Sequence, residues 1–507
     1  MRIAFVTRDS PTENDGGLAS FLNRLTRVLA DLGHEVELFV RSEKTNELQV
    51  LELYGIRVER VPSLQGWPID FATWLERRSP ALRFVELAYE LAGARDLARR
   101  LEARHAERPF DAVHCSVWGA TALFVRKLTG RPLVTLFCWP RDLLSELEEH
   151  PPSLETRLLT RLERRAAARS DLVYAHSRYI ADHLRQNHGI PAMLIRPPAF
   201  LERAAISRLE GIPPRYLIHY GGIGPPKGSD LLARALLLAW ESEPELTMVW
   251  AGKEHRGEPL IRQYRELWGE RARRVIWLGE VRKTSMYELV SRAVATVIPT
   301  RCDNLPNTAI ESLLFGVPVI GSDGASIDEV VEPGLNGELV AIGDVEALSD
   351  AMVKAWRGEM PFVALPSSFE SMLPLTAASN LLAVLRGEEP PPIDSGSRAK
   401  PSPEQFRYVP NLPAPSMKTV HPVSARAGAG FNVQPDGSSA ISVECESAGM
   451  FTTIVFGDTP LRTTFGTSSF LTALVPAALI ARPGIVRIQL RDEMSGDSNT
   501  IEFPIDA

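Results

Sequence analysis

Over its first two hundred residues the chain alternates short apolar runs of strand length with longer stretches in which apolar positions recur every three or four residues. The first run is Arg2-Ile-Ala-Phe-Val-Thr7. The stretch 18–32 then places Phe21, Leu22, Leu25, Leu29 and Leu32 on one helical face, and Gly33 closes it. Further strands are predicted at 36–40, 111–115, 133–137 and 172–175, with helices over 81–107 and 154–168 between them. Alternation of this kind marks a parallel sheet wrapped by crossover helices, so residues 1–200 are predicted to form a Rossmann-like α/β domain. The pattern restarts at 216–220 and continues through 248–251, 275–278, 296–298 and 317–320. This predicts a second Rossmann-like domain over 201–386, with a cleft between the two. After Arg386 the periodicity ends: Gly387-Glu-Glu-Pro-Pro-Pro392 and Lys400-Pro-Ser-Pro403 have no period, and 387–419 reads as a linker too poor in apolar residues to order itself. Short β runs at 440–443, 451–456, 470–475, 486–490 and 501–505 then predict an all-β sandwich over 420–507.

Composition narrows the functional classes. The 507 residues carry a net charge of −7 with no strongly basic half, which argues against a general nucleic-acid binder. Cys115, Cys138, Cys302 and Cys445 are scattered, without the spacing of a zinc site or a disulfide framework, and fit a reducing compartment. The chain opens on a strand rather than a signal peptide, and no apolar run approaches the roughly 20 residues that span a bilayer. A cytoplasmic protein is expected. The arginine-bearing segment Arg157-Leu-Leu-Thr-Arg161-Leu-Glu-Arg164-Arg165 offers a peripheral contact to the inner face of an anionic membrane, or simply a solvated helix face.

Candidate chemistry concentrates at strand ends. Asp303-Asn-Leu-Pro-Asn-Thr-Ala-Ile-Glu311 sets two carboxylates eight residues apart across a strand-to-helix junction, where Thr308-Ala-Ile-Glu311 has capping-box form and places Glu311 in the first helical turn. Free N–H groups at such a helix start favour a phosphate, and flanking acids grip sugar hydroxyls. Gly16-Gly17 between the first strand and helix, and Gly221-Gly-Ile-Gly-Pro-Pro-Lys227-Gly228 after the strand 216–220, let backbone approach a ligand, with Lys227 placed to neutralise a diphosphate. His114 and His176 lie at strand ends, where a hydrogen-bonded structural histidine is commoner than a catalytic one. No D-x-D occurs, which weighs against diphosphate binding through a divalent metal.

These constellations together resemble family 4 glycosyltransferases of the GT-B fold. The resemblance covers residues 1 to about 385 and rests on the diglycine, the Gly221-to-Gly228 turn, Leu278-Gly279-Glu-Val281 and the run from Pro299 to Val319. It implies two Rossmann-like domains facing a cleft, with the β-sandwich appended. It further implies that Glu311 holds the donor ribose, that Asp303 stands where a glutamate contacts the donor sugar, and that Lys227 and the Gly16–Gly17 backbone face the diphosphate. The backbone of Leu305, Pro306, Asn307 and Thr308 is implied to cradle phosphate, and Val281 and Arg282 to meet the base. Gly222 occupies a position where the family usually has arginine, leaving Arg282 or Arg301 to supply the second cation, and Cys138 one where it usually has histidine. The implied activity is retaining, metal-independent transfer of a hexose, with no cofactor, from a UDP- or GDP-linked sugar to a glycan or lipid-linked glycan in cell-surface polysaccharide synthesis. A nucleotide-sugar epimerase and a silent glycan-binding scaffold are the alternatives. Val455-Phe-Gly457, Leu471-Thr-Ala-Leu-Val-Pro476 and Ser498-Asn499-Thr-Ile-Glu-Phe503 resemble an IPT/TIG immunoglobulin-like domain, which implies a protein or glycan partner, with an inert spacer as the alternative. That domain carries no motif of the nucleotide site.

Overall fold

The computed structural model describes residues 1–9, 16–42, 47–63, 67–78, 84–125, 132–145, 152–201, 209–254, 259–390, 400–407, 413–434, 437–449, 452–492 and 495–507. The first domain is an eight-stranded sheet in the order Gln49–Leu53, Ile56–Pro62, Glu35–Ser42, Arg2–Thr7, Ala112–Ser116, Leu133–Leu136, Leu172–Ala175 and Met193–Leu194. It is parallel except for the hairpin Gln49–Leu53/Ile56–Pro62, which lay outside the predicted strands. Helix Gly17–Asp31 buries Phe21, Leu22, Leu25, Val28 and Leu29 against this sheet. Helix Leu154–Ala168 starts on Ser153, whose hydroxyl accepts from Thr156 N at 3.0 Å, and covers another part of it.

The second domain is a six-stranded, wholly parallel sheet ordered Val275–Gly279, Met248–Ala251, Leu217–Tyr220, Thr296–Ile298, Val319–Asp323 and Gly337–Ala341. Trp240, Trp250, Leu232 and Leu236 fill its core. Helix Pro374–Leu385 follows this sheet in the chain but packs Ala378, Leu381, Leu382 and Leu385 into the core of the first domain, tying the two together. Polar bridges join them near the cleft, among them the following. Arg24 pairs with Glu311; Ser177 Oγ donates to Asn304 Oδ1 at 2.8 Å; and Glu329 accepts from Arg178 N (2.9 Å) and Tyr179 N (3.0 Å) while pairing with buried Arg196 at 2.8 Å.

The C-terminal region is all-β. One sheet runs Ser416–His421, Ser439–Glu446, Phe470–Val475, Thr463–Thr467, and the other Ala425–Arg426, Gly496–Asp506, Gly484–Asp492, Thr452–Phe456, Thr459–Pro460. Val443, Leu471 and Val475 of the first meet Phe456, Leu490 and Phe503 of the second in one core. The predicted linker departs from expectation at two of its three described parts, 400–407 and 413–419. Its 391–399 and 408–412 lie outside the described residues, but Phe406 is fully buried against Phe369 in the second domain, and 416–419 already belong to the sandwich. One aromatic anchor thus seats a tract whose average composition is too polar to suggest it.

Candidate active site

Loops leaving the carboxyl ends of strands in both parallel sheets meet around a cavity of about 630 Å³. Of the catalytic and donor-binding residues that the resemblance implies, all line it except Leu305: Gly16 and Gly17 from the first domain, and Gly222, Lys227, Val281, Arg282, Asp303, Pro306, Asn307, Thr308 and Glu311 from the second. Leu305 is buried at φ 58° and its N–H is taken by Ser326 Oγ at 2.7 Å, so it has no donor to offer a phosphate; Pro306 has none either. The cradle at this helix start reduces to Asn307 and Thr308.

Helix Asn307–Leu314 takes Pro306 as its N-cap, with no side-chain cap. The predicted capping box is therefore absent: Thr308 is already helical, and Glu311 falls in the second turn rather than the first. Helix Gly17–Asp31 likewise starts on Gly16 without a side-chain cap. The two starts converge, since a β-carbon on Gly17 would lie 3.7 Å from Asn307 Nδ2. Two helix ends with unsatisfied N–H groups and no acidic residue in the first turn thus point at one cavity, a strong setting for an anion.

Side chains set the remaining charges. Lys227, in the short turn Pro225–Lys227, lies 2.5 Å from Asp303 Oδ2 and 5.4 Å from the centroid of Trp139 in the first domain. Asp303 Oδ1 accepts from Asn304 N at 2.9 Å, fixing the carboxylate. Only glycine fits at 228, where φ is 68° and a β-carbon would fall 1.8 Å from Pro299 O. Across the cavity Arg24, 2% exposed, pairs with Glu311 and donates to Asn307 Oδ1 at 3.3 Å. Arg301 does not supply the second cation: its guanidinium is held by both oxygens of Asp230 at 2.6 Å and by Pro225 O, outside the cavity lining. Arg282 does line the cavity.

The histidines divide differently from their sequence positions. His114 is buried with Nε2 2.7 Å from Tyr174 Oη, and His176 packs edge-on against Phe21; burial pushes both down to about 3, and neither lines the cavity. His219, not singled out from sequence, does line it, with Nδ1 held by Val297 O at 2.8 Å; burial lowers it to about 4. Cys138 is packed between two cores, its thiol pushed up to about 12 by burial, while its carbonyl accepts from Asn304 Nδ2 at 2.6 Å. Among the described residues, Asp142, His183 and His188 are the group with metal-ligand spacing. Arg164 Nη1, however, lies 2.8 Å from His188 Nδ1, which directs the proton of a neutral His188 to Nε2, 2.6 Å from Asp142. His183 Nε2 also lies 3.3 Å from Asp142 Oδ2, so the acid is shared between two imidazoles.

Sequence reasoning also missed Ser20, Asn23 and Arg24. Their signal was present, because they lie at helical spacing from Gly16 and Gly17, on the side of the first helix away from its apolar face. Nothing local announced Thr452, Thr453 and Thr463, which bring the C-terminal sandwich to the same cavity and correct the expectation that this domain stands apart from the site. A second cavity of about 680 Å³, inside the sandwich, has Arg462 as its charged lining residue and neither carboxylate nor histidine.

Comparisons with known proteins agree with this architecture. Residues 16–198 match the glycosyl transferase 4-like domain and residues 214–357 the glycosyl transferases group 1 family. The chain is 26% identical over 252 residues to a lipopolysaccharide core biosynthesis mannosyltransferase, LpcC, of Rhizobium leguminosarum, covering 49% of this chain and 66% of that one. It is 25% identical over 364 residues to a D-inositol 3-phosphate glycosyltransferase of Actinosynnema mirum, covering 67% and 84%. Among solved structures, sucrose-phosphate synthase of Thermosynechococcus elongatus superposes with a TM-score of 0.55 at 18% identity over 76% of this chain and 98% of its own. Anabaena HepE in complex with UDP and glucose gives 0.51 at 18% identity over 76% and 95%. No described helix is long and apolar enough to cross a membrane. The two facing parallel-sheet domains, matched in order, are thus those of the group 1 and 4-like glycosyltransferases, in the GT-B architecture.

Proposed function

We propose that the chain is a retaining, metal-independent hexosyltransferase that uses a UDP- or GDP-linked sugar. The observation that carries this reading is the convergence of two uncapped helix starts and Lys227 on one interdomain cavity that also presents Asp303 and Glu311. The diphosphate sits between the helix starts, where Lys227 and the N–H groups of Gly17, Asn307 and Thr308 stabilise charge developing on the leaving nucleotide. Glu311 accepts from the ribose hydroxyls and Asp303 from the donor sugar. A phosphate oxygen of the donor takes the acceptor's proton, so no protein nucleophile is required. A glycan or lipid-linked glycan hydroxyl is the proposed acceptor, in polysaccharide synthesis at the cytoplasmic side, with the exposed Arg157, Arg161 and Arg165 facing anionic lipid. The relatives include a lipopolysaccharide core mannosyltransferase and the neighbours a UDP-bound protein, which supports both halves of the reading. The C-terminal sandwich is read as IPT/TIG-like on its strand content.

Titration calorimetry with UDP, GDP and ADP sugars, followed by proton NMR of the product anomer, tests it. A silent scaffold, the reading favoured by Gly222 and Cys138, binds none of the three.

A further inference from the structure

The cavity is not enclosed by the two parallel-sheet domains alone. Thr452, Thr453 and Thr463 of the sandwich share it with Asn23 and Glu311. The sandwich is seated rather than tethered: Gly449 lies so close to the first domain that a β-carbon there would fall 2.2 Å from Tyr54 Oη, and Phe465 packs against both the sandwich core and the core of the first domain. From Tyr54 the contacts lead to the cavity wall. Arg27 lies over the Tyr54 ring at 4.4 Å and donates to Asn23 Oδ1 at 2.8 Å. Asn23 is six residues along the helix from Gly17, about 9 Å at 1.5 Å per residue. The sandwich therefore reaches the cavity beside the Arg24–Glu311 pair, away from the helix starts that face the diphosphate.

Two of the three hydroxyls are already committed. Thr452 Oγ1 donates to Asp492 Oδ2 at 2.5 Å and accepts from Gly449 N at 2.7 Å, while Thr463 Oγ1 donates to Leu461 O at 3.1 Å and accepts from Ile454 N at 2.8 Å. Thr453 is half-buried in the cavity wall, and its hydroxyl makes no hydrogen bond among the described residues. Resting on the reading of the cavity as a nucleotide-sugar site, we infer that the C-terminal sandwich is the third wall of the nucleoside subsite and that Thr453 hydrogen-bonds the nucleoside of the donor. The sandwich completes the cavity rather than plugging it: threonine side chains are short, and about 630 Å³ stays open, within the roughly 300–1,000 Å³ of small-molecule sites.

The test is calorimetry of UDP, GDP and ADP with the full chain carrying Thr453→Val, Thr453→Ser or Gly449→Leu, each first shown to melt as the parent does. Thr453→Val is expected to weaken nucleotide binding about three- to tenfold, the range for one neutral hydrogen bond. Thr453→Ser, which keeps the hydroxyl, should restore it, and Gly449→Leu, which pushes the sandwich off Tyr54, should weaken it at least tenfold. If Gly449→Leu does not fold, the valine and serine pair decides. Parental affinity in Thr453→Val, or tighter binding in Gly449→Leu, overturns the inference while leaving the proposed function standing. A parent chain that binds no nucleotide overturns both.

Discussion

Position 222 offers a direct gain-of-function test of the site. Gly222 lines the cavity, its φ lies outside the left-handed region, and a β-carbon there would meet no atom within 4 Å. Sterics therefore do not demand glycine at 222, in contrast to 228. The nearby cations are largely spoken for, with Lys227 on Asp303, Arg24 on Glu311 and Arg301 on Asp230. A bound diphosphate accordingly meets less positive charge than the count of basic residues suggests. Gly222→Arg adds a guanidinium in open space beside the lysine turn. One charge-assisted hydrogen bond contributes about 1.5–3 kcal/mol, which corresponds to roughly ten- to hundredfold tighter binding of UDP or GDP. Calorimetry at two salt concentrations is the assay; the gain should shrink at high salt, as expected for a partly exposed charge pair. Binding unchanged within twofold, or weakened, would refute the placement of the diphosphate beside this turn.

Lys227→Ala and Glu311→Ala should each lower transfer by at least about a hundredfold, and wild-type turnover in either would remove that residue from the site. Only Glu311→Ala should also destabilise the fold, by about 3–5 kcal/mol, because it leaves the buried Arg24 charge without its carboxylate; differential scanning calorimetry separates the two effects. Transfer is expected to persist in EDTA, since Lys227 and two helix starts supply the charge, and a loss restored by Mn²⁺ would contradict this. Stability should fall on mild acidification: His114, His176 and His219 are lowered by burial to about 3, 3 and 4, so below pH 6.5 the unfolded chain binds protons that the folded chain refuses. Glu163, raised by burial to about 7, works in the opposite sense between pH 4.5 and 7. The losing histidines, with His34 and His188 also lowered by burial, outnumber Glu163, so stability falls by roughly 2–3 kcal/mol per pH unit between 6 and 5; urea melts that do not move over this interval would refute the buried, neutral histidines.

The parallel sheets were legible because their strands are continuous apolar runs and their helices carry one apolar face, a pattern that depends on burial alone. Strand Leu172–Ala175 and helix Leu154–Ala168 fall where the periodicity put them. The hairpin Gln49–Leu53/Ile56–Pro62 was missed for a physical reason. Its Glu59 is fully buried and held by Arg57, Arg100 and Arg104, so a polar network replaces the hydrophobic signal that marks a strand. Phe406 was missed because one anchor residue has no period. The candidate site was legible as a set of strand-end loops, since glycine turns and a lysine announce themselves locally. Its pairings were not.

Glu311 shows what that omission hides. Read in sequence it is an acid near a helix start with a single prospective partner, the ribose of a donor. In the fold it pairs with Arg24, 287 residues away, and through it spans the two domains. The same carboxylate thus serves ligand and domain closure, and the two duties are coupled: anything that weakens its bond to Arg24 loosens the cleft in which the donor is proposed to sit. Thr453 extends the argument to a third domain, because a wall contributed from residue 453 to a cavity that begins at residue 16 exists only once the chain has folded.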